Sequence, residues 1–223
     1  MMTDSALDHP RIVILISGTG SNMMAIADAV QSGDIDAMVA GVVSNRPDAA
    51  GMQHARDREI PAILVDHQQF SSREEFDANL MRAIDDLAPD LIVLAGFMRI
   101  LTSDFVRHYR GRMINIHPSL LPLYQGLNTH QRAIDAGDSE HGVSVHFVTE
   151  ELDGGPVIAQ AVVTIETDET AASLQHKVQI QEHILYPIIV KWCTQGRLAM
   201  TDQGVTLDSK LLPLSGLRLT AQP

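Results

Sequence analysis

The sequence holds one cysteine, one tryptophan and only 4% aromatic residues. A single thiol excludes an internal disulfide framework and fits a reducing compartment. Cys193 sits beside Trp192 in an apolar stretch, which favours a buried packing thiol over a nucleophile. No apolar run approaches the roughly 20 residues of a membrane helix; the longest, residues 91–97, has strand length. Basic residues are scarce too. Against 28 Asp and Glu stand 16 Lys and Arg, a formal net charge of −12. General nucleic-acid binding needs a basic face and is excluded. An acidic surface also repels anionic metabolites, within the about 8 Å that physiological salt leaves unscreened. An anionic substrate must therefore be captured locally, by backbone N–H groups and a few placed side chains. The first ten residues contain Asp4 and Asp8 and no apolar core, so no secretory signal is expected. Together these absences predict a cytoplasmic protein with neither membrane nor nucleic acid as partner.

What is present is ordinary: 223 residues, 45% hydrophobic and 20% charged, enough to bury a substantial core as one domain. Residues 11–17, 38–45, 62–66 and 91–97 are brief, β-branched and apolar on both faces, which predicts buried strands. Residues 22–32, 49–58 and 72–87 read as the intervening helices. The third starts where Ser71 or Ser72 can cap with Glu74 or Glu75 three residues on, and Pro89 ends it. Such alternation implies an α/β fold, a mostly parallel sheet with helices on both faces. A short helix at 104–109, a strand at 112–117, a Pro-punctuated loop and a helix near 129–136 follow. Two antiparallel strands at 142–149 and 157–165 and a long helix at 171–194 close the body. The tail from Thr201 reads as a weak hairpin with a loose end. The expected organisation is an extension over residues 1–10, a main domain over 11–200 and a tail over 201–223.

The first strand runs into S-G-T-G-S-N, residues 17–22, and then a helix. Glycines let a backbone approach a ligand closely, and a helix N-terminus offers unpaired N–H groups with about half a positive charge. Phosphate or another small anion is the natural guest. A dinucleotide would need a third glycine at Met23 and an acid after strand two, where Ser44, Asn45 and Arg46 stand. The turn also serves as a bare strand-to-helix connection, and the motif alone leaves both readings open.

Asn115 and His117, in N-I-H-P, leave one face of their strand. Pro118 keeps His117 extended. Ligands of open α/β sheets bind at such carboxyl ends. An amide beside an imidazole suits carbonyl chemistry, one stabilising a developing oxyanion and the other moving a proton. A structural role for both is the competing reading. Asp153, in E-L-D-G-G-P between two strands, is either an aimed acid or a turn residue. If it reaches His117, it favours the imidazolium and lifts the pKa above the ordinary value of about 6.5. The ten histidines show no H-x-x-x-H or H-E-x-x-H spacing, so no metal is expected. His130 follows Thr129 near a helix start, where capping or substrate contact is open. His146, in S-V-H-F-V-T, lies on the polar face opposite Val145 and Phe147. Ser119 lacks the G-x-S-x-G setting of a hydrolase nucleophile.

Five motifs in order then carry a resemblance: S-G-T-G-S-N, L-A-G-F-M-R-I-L (94–101), N-I-H-P-S-L-L-P (115–122), H-G-V-S-V-H-F-V-T-E-E-L-D-G-G-P (141–156) and Q-E-H-I-L-Y-P (181–187). From about Arg11 to Met200 the chain resembles the folate-dependent phosphoribosylglycinamide formyltransferases. The resemblance implies a Rossmann-like sheet with an antiparallel C-terminal part. It also implies direct, metal-free transfer of the formyl group of 10-formyltetrahydrofolate to the amine of phosphoribosylglycinamide, in purine biosynthesis. Position by position, Asn115, His117 and Asp153 match the catalytic trio, with Asn115 the oxyanion donor, His117 the proton donor and Asp153 the acid that raises its pKa. Gly20, Ser21 and Asn22, with Gln179, Ile180, Gln181 and Glu182, match the ribonucleotide contacts, Glu182 near the ribose hydroxyls. Met98, Arg99, Ile100, Leu101, Asn115, Thr149, Glu150, Glu151, Leu152 and Asp153 match the folate pocket, and Arg73 is its outlying contact. The chain departs from many relatives at Leu123, Gln125 and Asn128, so a catalytic or phosphate-binding role for that loop is not carried over. A monomer or homodimer fits this reading.

Three other readings remain at this point. A methionyl-tRNA formyltransferase would add a basic RNA-binding domain. A formyltetrahydrofolate hydrolase would usually place a regulatory domain ahead of the glycine-rich strand. A nucleotide-binding module would leave the trio inert.

Overall fold

In the computed structural model, which describes residues 9–219, the apolar runs become one eight-stranded sheet in the order β11-β7-β6-β5-β4-β1-β2-β3. Strands β1 (Arg11–Ile16), β2 (Met38–Ser44), β3 (Ala62–Leu64), β4 (Leu91–Leu94) and β5 (Met113–His117) are parallel. Then β6 (Glu140–Phe147) runs antiparallel to β5, and β7 (Val157–Thr164) antiparallel to β6. The helices are α1 (Ser21–Gln31), α2 (Gly51–Asp57), α3 (Arg73–Asp85), α4 (Ser103–His108), α5 (Thr129–Ala136) and α6 (Ala171–Thr194). None is long and apolar enough to cross a membrane among the described residues.

The reason for the layering is visible within β1. Ile12, Ile14 and Ile16 pack with Met23 and Ile26 of α1 and Leu174, Val178 and Ile189 of α6. Val13 and Leu15 enter a second cluster with Phe76, Leu80 and Ile84 of α3 and Phe105 of α4. Alternate side chains therefore feed opposite cores, and a strand buried on both faces must be apolar throughout. At the start of α3, Ser72 accepts the Glu75 N–H, while the Glu75 carboxylate takes the N–H of Ser71. The capping exchange expected there is real but reaches one residue further back than a capping box.

The tail differs from the expected loose end. Strands β8 (Leu198–Thr201), β9 (Gly204–Leu207) and β10 (Lys210–Leu211) form a small antiparallel sheet. The chain then returns as β11 (Leu217–Arg218), pairing parallel with Ala159 and Gln160 of β7. A free edge on β7 would expose unpaired backbone groups, and β11 covers it. Of the expected N-terminal extension, residues 1–8 lie outside the described residues.

Helix α6 also fastens the middle of the sheet. The buried Tyr186 hydroxyl donates to Leu94 O (2.8 Å) and lies 3.3 Å from Ile114 O, below the strand ends that carry the site. Tyr186→Phe should lower unfolding free energy by about 1 kcal/mol with an unchanged urea m-value. A loss below a few tenths in urea titration would mean this hydroxyl contributes nothing to fastening β4 and β5.

Candidate active site

The strand order reverses between β1 and β4, and the carboxyl ends there leave the crevice where α/β sheets bind ligands. Ser17 ties its rim together, donating to Asn45 Oδ1 (2.5 Å) and accepting the Met98 N–H (2.7 Å). Gly20 is the N-cap of α1, at φ 74, and no side chain caps that helix end. A Cβ on Gly20 would stand 2.9 Å from Gly51 Cα. The glycine is therefore demanded by a left-handed turn packed against α2. A Cβ on Gly18 would meet nothing within 4 Å, so that side of the turn is open.

Helices α1 and α6 bring together most of the predicted ribonucleotide contacts. Gln179 Nε2 donates to Ser21 Oγ (3.2 Å), and Asn22 Nδ2 donates to Glu182 Oε2 (2.7 Å). Burial raises the Glu182 pKa, partly offset by the Asn22 bond. Asn22 Oδ1 is buried with no hydrogen-bond partner among the described residues. Such an orphan acceptor suits a ligand donor. Ile180 is exposed and Gln181 half-buried on the same helix.

The trio converges from two elements, Asn115 and His117 from the end of β5 and Asp153 from the turn between β6 and β7. Pairing of β5 with β6 sets Asn115 opposite His146. Asp153 arrives on the turn between β6 and β7, in a left-handed conformation at φ 49. Two residues on, a Cβ on Gly155 would lie 1.8 Å from Phe147 O, so only glycine lets the chain pass the end of β6. His117 is buried. Its Nε2 lies 2.9 Å from Tyr124 O and its Nδ1 3.5 Å from Asp153 Oδ2. The same carboxylate oxygen accepts the Gly126 N–H (3.0 Å), and Gln125 Nε2 donates to Asp153 O (3.3 Å). Gln125, one of the departures noted above, thus joins the Pro-rich loop to the Asp153 turn. Leu123 is exposed, and Asn128 caps α5 in a left-handed conformation without a side-chain bond.

His146 was missed as a site residue. It is buried, with Nδ1 2.9 Å from Phe147 O and Nε2 3.1 Å from Asn115 Nδ2. Nδ1 must donate to the carbonyl, which leaves Nε2 as the acceptor for one Asn115 N–H. Burial lowers the His146 pKa and keeps the ring neutral, as this bond requires. The amide of Asn115 is thereby fixed with its NH2 beside the Asp153 turn. The two-residue spacing of S-V-H, with Ser144 also buried, was the available signal, because two polar side chains on one inward face need partners.

His130 neither caps α5 nor stands alone. Its Nδ1 lies 3.1 Å from Nε2 of buried His141. Burial, then the neighbouring His130, lowers the His141 pKa to about 4.

The folate-matched residues line a second cleft. Arg99, Ile100, Leu101, Asn115, Thr149, Glu150, Glu151, Leu152 and Asp153 surround it with Leu94, Phe97, Val106, His146 and Val148. Met98 and Arg73 lie outside this lining, both exposed. Apolar walls with a few convergent polar groups are the usual make-up of a ligand pocket. Arg99 Nε is buried there without a partner among the described residues, over the Phe76 ring at 4.7 Å. Burial pushes the Cys193 thiol, remote from this cleft, up to about 12, which fits packing rather than nucleophilic chemistry.

An open α/β sheet with two adjoining clefts and an amide–imidazole–carboxylate cluster between them defines a group-transfer enzyme. Residues 10–190 match the formyl transferase family model, and the chain belongs to that family. It is 50% identical over 205 residues to the phosphoribosylglycinamide formyltransferase of Escherichia coli (strain K12), covering 92% of this chain and 97% of that one. It is 37% identical to the human trifunctional purine biosynthetic protein adenosine-3, over 87% of this chain and 19% of that protein. A solved phosphoribosylglycinamide formyltransferase from Coxiella burnetii superposes with a TM-score of 0.91 at 50% identity, covering 94% of this chain and 99% of that chain.

The histidine pair gives a pH test. His141 binds its proton less readily in the fold than its ordinary 6.5, so the unfolded chain carries more protons between those values. The stability contribution is complete above about 6.5 and is lost as pH falls toward about 4. NMR titration should find the His141 midpoint near 4. A midpoint at the ordinary value would contradict the buried, neutral pair.

Proposed function

We propose that this enzyme transfers the formyl group of 10-formyltetrahydrofolate directly to the amine of 5-phosphoribosylglycinamide, in purine biosynthesis. The relatives' shared activity supports the reaction; one observation supports the residue roles. His117 stands between two acceptors, Tyr124 O and the Asp153 carboxylate. A neutral imidazole has one N–H and satisfies one of them, whereas an imidazolium satisfies both.

The ribonucleotide binds across α1 and α6. Its phosphate takes the uncapped N–H groups at the start of α1, where a helix N-terminus holds an anion without a lysine or arginine. That local capture is what an enzyme with net charge −12 requires. Glu182, steadied by Asn22, accepts from the ribose hydroxyls, and a donor of the ribonucleotide satisfies Asn22 Oδ1. The pterin-like ring of the folate enters the second cleft between Ile100, Leu101 and Val148, its edge meeting backbone groups of residues 98–101 and 149–153. The formyl carbon then lies at the junction, beside Asn115.

As the amine adds to the formyl carbon, its carbonyl oxygen gains negative charge. The Asn115 N–H not held by His146 donates to that oxygen. His117 exchanges an acceptor for the same oxygen and supplies the proton, while Asp153 stabilises the charged ring. The intermediate then collapses: the oxygen returns its proton to His117, the bond between the formyl carbon and N10 of the folate breaks, and the departing N10 gains the proton that the amine gives up.

The ultraviolet absorbance of the deformylated folate tests the reaction. It should rise only when the ribonucleotide is present; a rise without it would indicate a hydrolase, and no change an inert binding module. Asn115→Ala should lower kcat about 100-fold to 1000-fold while the folate-analogue affinity stays near wild type. A kcat within a few-fold of wild type would sink the oxyanion role.

A further inference from the structure

The Pro-rich loop that supplies the Tyr124 carbonyl and the Gly126 N–H is anchored at its base by a buried polar cluster outside both clefts. Ser144 on β6 and Gln160 on β7 are cross-strand partners. Ser144 Oγ donates to Ser119 O (2.6 Å) and accepts from the Leu121 N–H (3.0 Å) and Gln160 Nε2 (2.9 Å). The hydroxyl has one donor and two acceptor sites, and all three are used. Gln160 Nε2 also donates to Leu121 O (2.9 Å), so Leu121 is gripped by both backbone groups. Ser119 Oγ in turn donates to Leu123 O (2.6 Å), one residue before Tyr124. Ser119 and Ser144 are fully buried, and Gln160 is 3% exposed. Strand β11 pairs with Gln160 on its other side, which closes the cluster to water.

The rest of the loop is held nearer its tip, Tyr124 by its hydroxyl donating to Asp138 (2.5 Å), by Arg132 over its ring and by an edge contact with His141. Leu123 and Leu127 are exposed; Arg132 also donates to the Gln125 and Leu127 carbonyls, and two bonds reach Asp153. The side-chain contacts fix the Tyr124 ring, whereas the backbone leading to its carbonyl is set by Ser119–Leu123, and theirs by Ser144 and Gln160.

We propose that Gln160, acting with Ser144, is a positioning residue for His117. It fixes the loop base so that the Tyr124 carbonyl orients the imidazole and the Gly126 N–H orients Asp153. This rests on the proton-donor reading of His117. The cluster touches neither ligand cleft, so its loss misplaces the proton donor without removing a binding contact. A misplacement of about 1 Å by a residue remote from the chemistry can cost about 100-fold in rate.

Gln160→Met keeps the side-chain length and removes both donated bonds. Its kcat should fall about 10-fold to 100-fold, with KM for ribonucleotide and folate within about 3-fold of wild type. The His117 ring signals in a proton–nitrogen NMR spectrum should shift or broaden, and the pH–rate profile should move. A merely structural residue would lower the melting temperature and leave kcat of the folded enzyme and the His117 signals unchanged, and that result would overturn the proposal. If Gln160→Met does not fold, Ser119→Ala removes only the bond to Leu123 O and carries the same expectation and the same contrary result. The NMR readout needs no turnover. Undisturbed His117 signals in the variant refute the positioning role, whereas an inactive wild-type enzyme refutes the underlying reading.

Discussion

A single carboxylate oxygen organises the centre of this molecule. Asp153 Oδ2 faces the His117 ring and accepts the Gly126 N–H, so one atom joins the end of β5, the Pro-rich loop and the turn between β6 and β7. Placing it there requires a left-handed aspartate, a conformation that costs an L-residue roughly 1–2 kcal/mol. It also requires Gly155, because no side chain fits beside Phe147 O. The strain is offset by the bonds the carboxylate makes, and the position of the loop tip depends on them. With the acid elsewhere, the loop would lose its tip contact and the imidazole its counter-charge.

On the proposed assignment, the two substrates are handled by different physics around that point. The proposed ribonucleotide side is built of helix ends: the uncapped start of α1, and the α6 side chains Gln179 and Glu182 bonded to Ser21 and Asn22. The proposed folate side is built of strand ends and loops with apolar walls. A sheet whose order switches between β1 and β4 supplies both in one crevice. The acidic surface agrees with this division, since anion capture is local and needs few basic side chains.

Much of this was legible in the residues, for stated reasons. Strands buried on both faces announce themselves, so β1, β2 and β4 were expected within a few residues, and α5 and α6 begin and end where their patterns do. Asn115 and His117 shared a face by simple alternation. The distance from His117 to Asp153 was not legible, because it depends on β6 and β7 returning beside β5. His146 was overlooked because the S-V-H spacing shows that two polar side chains share a face but not what the ring nitrogens meet. The Ser144–Gln160 cluster was invisible for the same reason: its bonds run across two strands to a loop. The tail misled because β11 has two residues, too few for any periodic signal, and its partner is distant in sequence. At Gly20 the motif showed a glycine-rich turn but not its neighbour Gly51, which α2 brings against it.

The central claim is that the Asp153 carboxylate, facing the His117 ring, supports that ring as the proton donor of the transfer. The direct measurement is the steady-state kinetics of the wild-type enzyme and of Asp153→Asn, which preserves shape and removes the charge. The account predicts that kcat falls about 100-fold or more in the variant while KM for both substrates stays within a few-fold of wild type. A kcat within a few-fold of wild type would contradict it and reduce Asp153 to a turn residue.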